Sequence, residues 1–482
     1  MFLARYVFSL LFFTSPLQVA PAAEPIAKAA WEPVCNLEIQ LRHTANKAAK
    51  ISAAIAEALS AVSKTRAKIR IALATAKDRN RTIALEALSI ALSKKEQELQ
   101  ADAETKINLA LRAAAVTSTL RGRITEALSI LLLGDTATSG SGYCLATSGG
   151  GSTAQADIKR LGCTTSLTEL QPGASDPDTE HMSATGFAKI ATTTSVYSET
   201  SGQSNKCTML NIGNTANTNS FNSGTLAAGL IKITGATTGN LGAYNDALSA
   251  TSRDATDLVR AAFYDASAVK SIQLSQYVTG QMQIAKAAAG KTTLKPIVAK
   301  LLQRQQPELQ QTQRERAAEE IIDDVFGDDA KKMTTLWEEL ERKQVKGNQA
   351  DPNKEEPLSG VSTLPELQEV LSYYEDFSRK HAEDLQIKID QLEAKNSRAE
   401  TKTTEQICNE KKDAETCRKD KNCQYDDKKK EEPKCVLSDK GKEAEAEKEA
   451  SKETGKDEKT NTTGSNSFVI HKAPLLLAFF IL

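Results

Sequence analysis

Between Cys35 and Gly134 the apolar residues recur at steps of three and four. Ile51, Ile55, Leu59, Val62, Ile69 and Leu73 mark one stripe, and Leu85, Leu88, Leu92, Leu99, Ile107, Leu120, Ile124, Leu128 and Leu131 a second. That spacing lines each set along one side of an α-helix, the seam of a helical hairpin or coiled coil. No proline interrupts the stretch, and Gly122 is its one internal glycine. The polar run Lys77-Asp78-Arg79-Asn80-Arg81 is the place to turn. Folding back there gives helices of roughly 40 and 50 residues, each about 60–75 Å long at 1.5 Å per residue. The alternative, one unbroken rod, would need several partner chains to bury its stripe. A hairpin over residues 36–133 also places Cys35 and Cys144 near the same end.

The pattern then changes. Residues 136–243 are rich in Gly, Ser, Thr and Asn with brief apolar runs such as Leu230–Ile233, which predicts a loop-rich head with short strands. So few apolar residues bury little surface, and Cys144, Cys163 and Cys207 are expected to pin the head. Helical spacing returns over 248–392, in Leu248–Val278, Ile297–Val345 and Leu364–Leu392. The last of these carries Leu367, Val370, Leu371, Tyr374, Phe377, Leu385, Ile389 and Leu392. Residues 23–395 thus form an N-terminal domain. Beyond Lys395 the composition shifts to Lys, Glu, Asp and Thr, and Cys408, Cys417, Cys423 and Cys435 define a small stapled module over 396–440. Residues 441–465 are a charged, apolar-poor tether. The fold class is mainly α: an elongated antiparallel hairpin with a head and a disulfide-stapled C-terminal domain.

The two ends change the picture. Arg5, the apolar run Val7–Phe13 and the small residues Ala20-Pro21-Ala22-Ala23 read as a secretory signal peptide covering 1–22. The final stretch Phe468–Leu482 is apolar but broken by His471, Lys472 and Pro474. A spanning helix needs about 20 continuous apolar residues. Preceded by Ser465-Asn466-Ser467 and a short polar spacer, this tail reads instead as a glycosylphosphatidylinositol attachment signal. Attachment at Ser465 removes 466–482. The only expected link to the membrane is then the lipid.

Charge and composition exclude more than they assign. The net charge is −1, from 61 basic and 62 acidic residues, so no excess of cations points to nucleic acid. Aromatic residues make up 5% of the chain, which suits long helices packed side by side. Eight cysteines in a secreted chain read as four disulfides. Four cysteines in either region permit three pairings, among which spacing does not choose.

No catalytic or cofactor chemistry stands out. Gly290-Lys291-Thr292 resembles the end of a phosphate-binding loop, but Ala285 occupies the place of the glycine that would let the backbone curl around phosphate. The irregular gaps of the C-terminal cysteines do not suit zinc, which draws ligands in close pairs. His43, His181, His381 and His471 are too scattered for a metal or catalytic centre, and charge runs such as Glu319-Glu320 and Asp323-Asp324 read as solvated faces. The chain is read as no enzyme, with no cofactor and no small-molecule substrate. Two sequons remain: Asn461-Thr462-Thr463 in the tether, and Asn80-Arg81-Thr82 at the turn, where continued helix would limit access.

These residues resemble a known family. Asn461-Thr462-Thr463-Gly464-Ser465, then Asn466-Ser467-Phe468-Val469-Ile470, Lys472, Pro474 and an apolar finish, are similar to the C-terminus of African trypanosome variant surface glycoproteins. The module Cys408–Cys435 looks like that family's C-terminal domain. Gly142-Tyr143-Cys144-Leu145, with Cys35 before it and Cys163 and Cys207 after, resembles the class A N-terminal domain. The resemblance implies the pairings Cys35–Cys163, Cys144–Cys207, Cys408–Cys423 and Cys417–Cys435. It also implies a homodimer forming a dense coat that shields invariant membrane proteins, varies its epitopes, and meets host antibodies at the head. The competing reading is a lipid-anchored nutrient receptor on the same scaffold, of the transferrin or haptoglobin–haemoglobin type.

Overall fold

The computed structural model describes residues 24–134, 142–164, 169–171, 176–197, 207–210, 224–235, 238–246, 248–346, 354–400 and 403–443. These divide into two compact units, one covering the chain to Gln344 together with Glu356–Leu367, the other covering Val345–Glu355 and the chain from Gln368 onward.

The first unit is organised by the hairpin. Helix α1 (Lys28–Ala74) runs 47 residues, about 70 Å at 1.5 Å per residue. The chain turns over residues 75–78, and α2 (Arg79–Asp102) returns. Asp78 caps α2 by accepting a 2.8 Å hydrogen bond from the Arg81 amide, satisfying one of the free N–H groups of the first turn. The predicted stripes form the seam: Ile51, Ile55, Val62 and Ile69 of α1, with Leu85, Leu88, Leu92 and Leu99 of α2, are all buried. Interspersed Ala58, Ala61, Ala84 and Ala87 are buried too, and their small side chains let the backbones approach closely.

Two features depart from the spacing. One π-helical turn, Ala103–Ile107, separates α2 from α3 (Asn108–Leu133). The extra residue in that turn rotates α3 relative to α2, so Ile107 is only half-buried while Leu120, Ile124, Leu128 and Leu131 line the core. In addition α1 begins at Lys28, ahead of Pro33, rather than at 36. Packing outweighs the proline. Ala30, Trp31 and Val34 are fully buried, and the Trp31 indole donates to the Ala146 carbonyl at 2.8 Å.

The head is built on this end of the hairpin. Ile26 pairs with Leu145 and Tyr197, which draws the N-terminal segment into the loops. A three-stranded antiparallel sheet follows the order β1 (Gly224–Leu226), β2 (Ile231–Ile233), β3 (Gly239–Leu241), with Leu226 opposite Ile231 and Ile231 opposite Leu241. Short α4 (Gln155–Leu161) carries the buried Ile158. Gly186 lies flush against the backbone of Tyr244 and Asn245, where a Cβ would come within 2.5 Å.

Of the later helices, α5 (Leu258–Ser271) packs on α3 and α1. Helical spacing predicts a start near Leu248, but Asp257 sets it ten residues later by accepting from the amides of Val259 and Arg260. Phe263 of α5 meets Phe187 of the head edge-to-face at 5.4 Å. Helices α6 (Gln281–Ala288), α7 (Lys291–Gln305), α8 (Gln311–Val325) and α9 (Met333–Arg342) flank the hairpin; α7 and α8 pair with each other and against α2.

Helix α10 (Leu364–Glu400) starts in the first unit and carries the chain into the second. In the second unit, α11 (Thr404–Asn409) and α12 (Ala414–Lys419) are capped by Thr403 and Asp413. They precede a two-stranded antiparallel ladder that pairs Cys423–Tyr425 with Cys435–Leu437. The buried cluster here consists of four cysteines, with Tyr425 and Leu437 packed on it. A module this small lacks the apolar residues for a core, so the cystines serve as one.

Candidate functional site

The structure pairs Cys35 with Cys163 and Cys144 with Cys207, with Cα separations of 5.3 and 4.5 Å. It pairs Cys408 with Cys423 and Cys417 with Cys435, at 5.5 and 5.8 Å. The first bond ties α1 to the end of α4, and the second ties the segment beside Ile26 to the loops before the sheet. Both lie in the head core together with Trp31, Phe187 and Phe263.

Two buried carboxylates, neither singled out by sequence reasoning, fix the helices beneath the head. Glu38 of α1 is fully buried between two arginines: Arg42 reaches Oε2 at 2.6 Å, and Arg121 of α3 approaches Oε1 with Nε at 2.9 Å and Nη2 at 2.8 Å. Arg42 also donates to the Gly162 carbonyl, beside Cys163. Asp265 of α5, likewise fully buried, is held by Arg112 of α3 at 2.8 Å and Arg253 at 3.1 Å. Each carboxylate is thus satisfied by guanidinium donors from separate turns of chain, which burial of a charge requires.

A third polar cluster joins the head segment 176–182 to α1 and α5. Gln40 and Asp178 exchange two 2.8 Å hydrogen bonds, side-chain amide to carboxylate and backbone amide to side-chain carbonyl. The buried Lys47 donates to Asp176 and to the Lys270 carbonyl, while Lys270 donates to the Met182 carbonyl at 2.9 Å. The His181 ring lies 3.1 Å from both Asp178 oxygens. His43 sits in the joint with its Nδ1 buried and unpartnered. Burial, reinforced by Arg42, pushes the His43 pKa down against the pull of Asp178, Glu38 and Asp176. Burial alone would raise Asp178, but the backbone and ring hydrogen bonds to His181 and the Lys270 charge hold it below the usual carboxylate range. Burial, then the nearby Glu24, pushes the Tyr197 hydroxyl up to about 12.

Groups with chemical potential are committed elsewhere. Lys291 follows the helix α6 rather than a strand, and its ammonium pairs with Asp323 at 2.9 Å. An open concavity of about 430 Å³ is lined by Ser249, Ser252, Arg253, Asp254, Ala255 and Arg260, but Arg253 is bound to Asp265. A second, of about 460 Å³, lies between α1 and the start of α6 and is lined by Glu57, Ser60, Lys64, Thr279 and Gln281 beside Ala56 and Ala61. Among the described residues no group of three metal-ligating side chains converges, and no helix is long and apolar enough to cross a membrane. Asn80 lies in the first turn of α2, half-exposed, with its side-chain amide donating to Asp324 at 3.2 Å. Asn461, Ser465 and His471 lie outside the described residues.

A family profile described as trypanosome variant surface glycoprotein (A-type) matches residues 7–375, and a second, variant surface glycoprotein ETAT, matches 424–482. Variant surface glycoprotein MITAT 1.1 of Trypanosoma brucei brucei is 37% identical over 155 residues, which is 32% of this chain and 31% of that protein. Variant surface glycoprotein ILTAT 1.24 of the same organism is 28% identical over 411 residues, covering 82% of this chain and 77% of the other. The solved structure of MITat 1.1 has the same fold, with a TM-score of 0.57 at 17% identity, over 76% of this chain and 99% of that one. With a profile spanning most of its length and relatives aligned along it, the chain belongs to the A-type trypanosome variant surface glycoproteins, the proteins of the cell-surface coat.

Proposed function

We propose that the chain is secreted with loss of residues 1–22, fastened to the outer leaflet by a glycolipid on Ser465 after loss of 466–482, and stands in the coat as a homodimer. The family match carries this reading. The steric role needs no substrate. Long paired helices resist bending, the cystine-pinned head supports loops that differ between family members, and dense packing keeps antibody from invariant proteins beneath. Host antibodies then meet the head first, and replacing the expressed protein by another member changes the epitopes. Asn461, in the charged tether, carries the N-linked glycan. Asn80 is the second acceptor, and its use requires the amide to give up or redirect its hydrogen bond to Asp324.

Treating live cells with phosphatidylinositol-specific phospholipase C should release the intact protein, with a C-terminal peptide ending at glycan-bearing Ser465. Retention on the cell while other lipase-sensitive proteins are shed would remove the anchor from this account.

A further inference from the structure

In the second unit, α10 is an amphipathic helix whose apolar side is left bare. At 3.6 residues per turn, Leu371, Tyr374, Ser378, His381, Leu385, Ile389 and Leu392 fall within a sector about 80° wide. At its start this stripe is covered: Val370 and Leu371 are buried, and the Tyr374 hydroxyl accepts from the Lys346 amide at 3.4 Å. Further along, among the described residues, the large apolar side chains on this face stand exposed, Leu385 43%, Ile389 39% and Leu392 61%, as does Phe377 at its edge, 61%. Among the exposed large apolar side chains of residues 377–392, Ile387 alone lies on the opposite side.

We propose that residues 374–392 of α10 pair with the same residues of a second copy, as a parallel, in-register two-stranded coil. The inference rests on the homodimer reading and gives it a surface. Charge selects the partner and its direction. Lys388 and Phe377 flank the stripe on one side, while Glu375, Ala382 and Glu393 flank it on the other. In a parallel pair a residue on one flank meets the opposite flank of the other copy about five positions on, as in salt-bridged coiled coils. Lys388 then faces Glu393 of the second copy, and Phe377 faces its Ala382, twice by symmetry. An antiparallel pair sets like flank against like, bringing Glu375 against Glu393 and Lys388 against Phe377. Ser378 and His381 within the stripe weaken the seam but fix its register, the usual effect of polar residues in such positions. The stripe also continues past residue 375, where the A-type profile ends.

The test uses the full chain. Leu385→Cys places a thiol where the two copies meet on their shared axis, and Asp376→Cys places one on the opposite face. Under a short thiol-specific cross-linker, L385C should give a covalent dimer of this chain and D376C should not. Sedimentation equilibrium of the double variant Leu385→Asp/Ile389→Asp should show at least a tenfold weaker dimer; both side chains are exposed, so folding is not at stake. If the unmodified protein sediments as a dimer but L385C cross-links no better than D376C, the dimer stands on another surface and this seam is wrong. If it sediments as a monomer throughout, the homodimer reading fails with it. Cross-linking of L385C to a different protein overturns the proposal.

Discussion

Replacing Glu38 by glutamine removes one charge and no volume, and leaves Arg42 and Arg121 facing a neutral amide. Both guanidiniums are largely enclosed, with side chains 24% and 14% exposed. Breaking a buried pair by removing one member costs about 3–5 kcal/mol, and the partial access of these arginines to water puts this site near the lower figure, about 3 kcal/mol. The first unit has roughly 350 residues, and an unfolding entropy of about 2.1 cal/mol/K per residue converts that loss to a melting shift of about 4 °C. Thermal unfolding followed by circular dichroism at 222 nm reads it directly. The exposed ion pair Arg160–Asp157 is the control, and Arg160→Ala should melt with the wild type. A double-mutant cycle with Arg121→Gln should give a coupling of at least about 1 kcal/mol. An E38Q protein melting within about 1 °C of wild type, or a cycle that sums without coupling, would refute the claim that this carboxylate locks α1 to α3.

Two further outcomes are expected. The Cys35–Cys163 bond closes a separation of 128 residues and Cys408–Cys423 one of 15, so loop entropy gives about 5 and about 3 kcal/mol respectively. Accordingly Cys35→Ser/Cys163→Ser should lower the urea midpoint of the first unit, whereas Cys408→Ser/Cys423→Ser should raise hydrogen exchange in residues 403–443 and leave that midpoint unmoved. A pH dependence arises from His43, whose folded pKa lies below its ordinary 6.5. As pH falls below about 6.5 the unfolded chain takes up this proton before the folded one does, so stability drops with acid. Asp178, also held low, adds to the loss only nearer its ordinary 3.8. His43→Gln should flatten the decline between pH 6.5 and 5, and an unchanged slope would show that His43 does not titrate in this joint.

The hairpin was legible because its apolar residues repeat at helical spacing and the polar run at its turn, Lys77–Arg81, contains the cap, Asp78. The later helices were legible as a class but not in their limits: Asp257 rather than Leu248 sets the start of α5, and Trp31 carries α1 back through Pro33. The π turn at Ala103–Ile107 leaves no mark in a pattern read at fixed period. Glu38 and Asp265 were invisible for a different reason. On a helix a buried carboxylate looks like any solvated one until its partners are known, and Arg121 lies 83 residues from Glu38, Arg112 153 from Asp265. The ends of the chain, by contrast, speak only through sequence, since Asn461 and Ser465 lie outside the described residues.

This chain works as coat, by covering the surface, rather than by capturing a ligand. Surface labelling of live cells expressing it, with quantitation of the labelled proteins, tests that most directly. This one polypeptide should dominate the label; a scarce labelled species, outnumbered by other surface proteins, would instead favour a receptor.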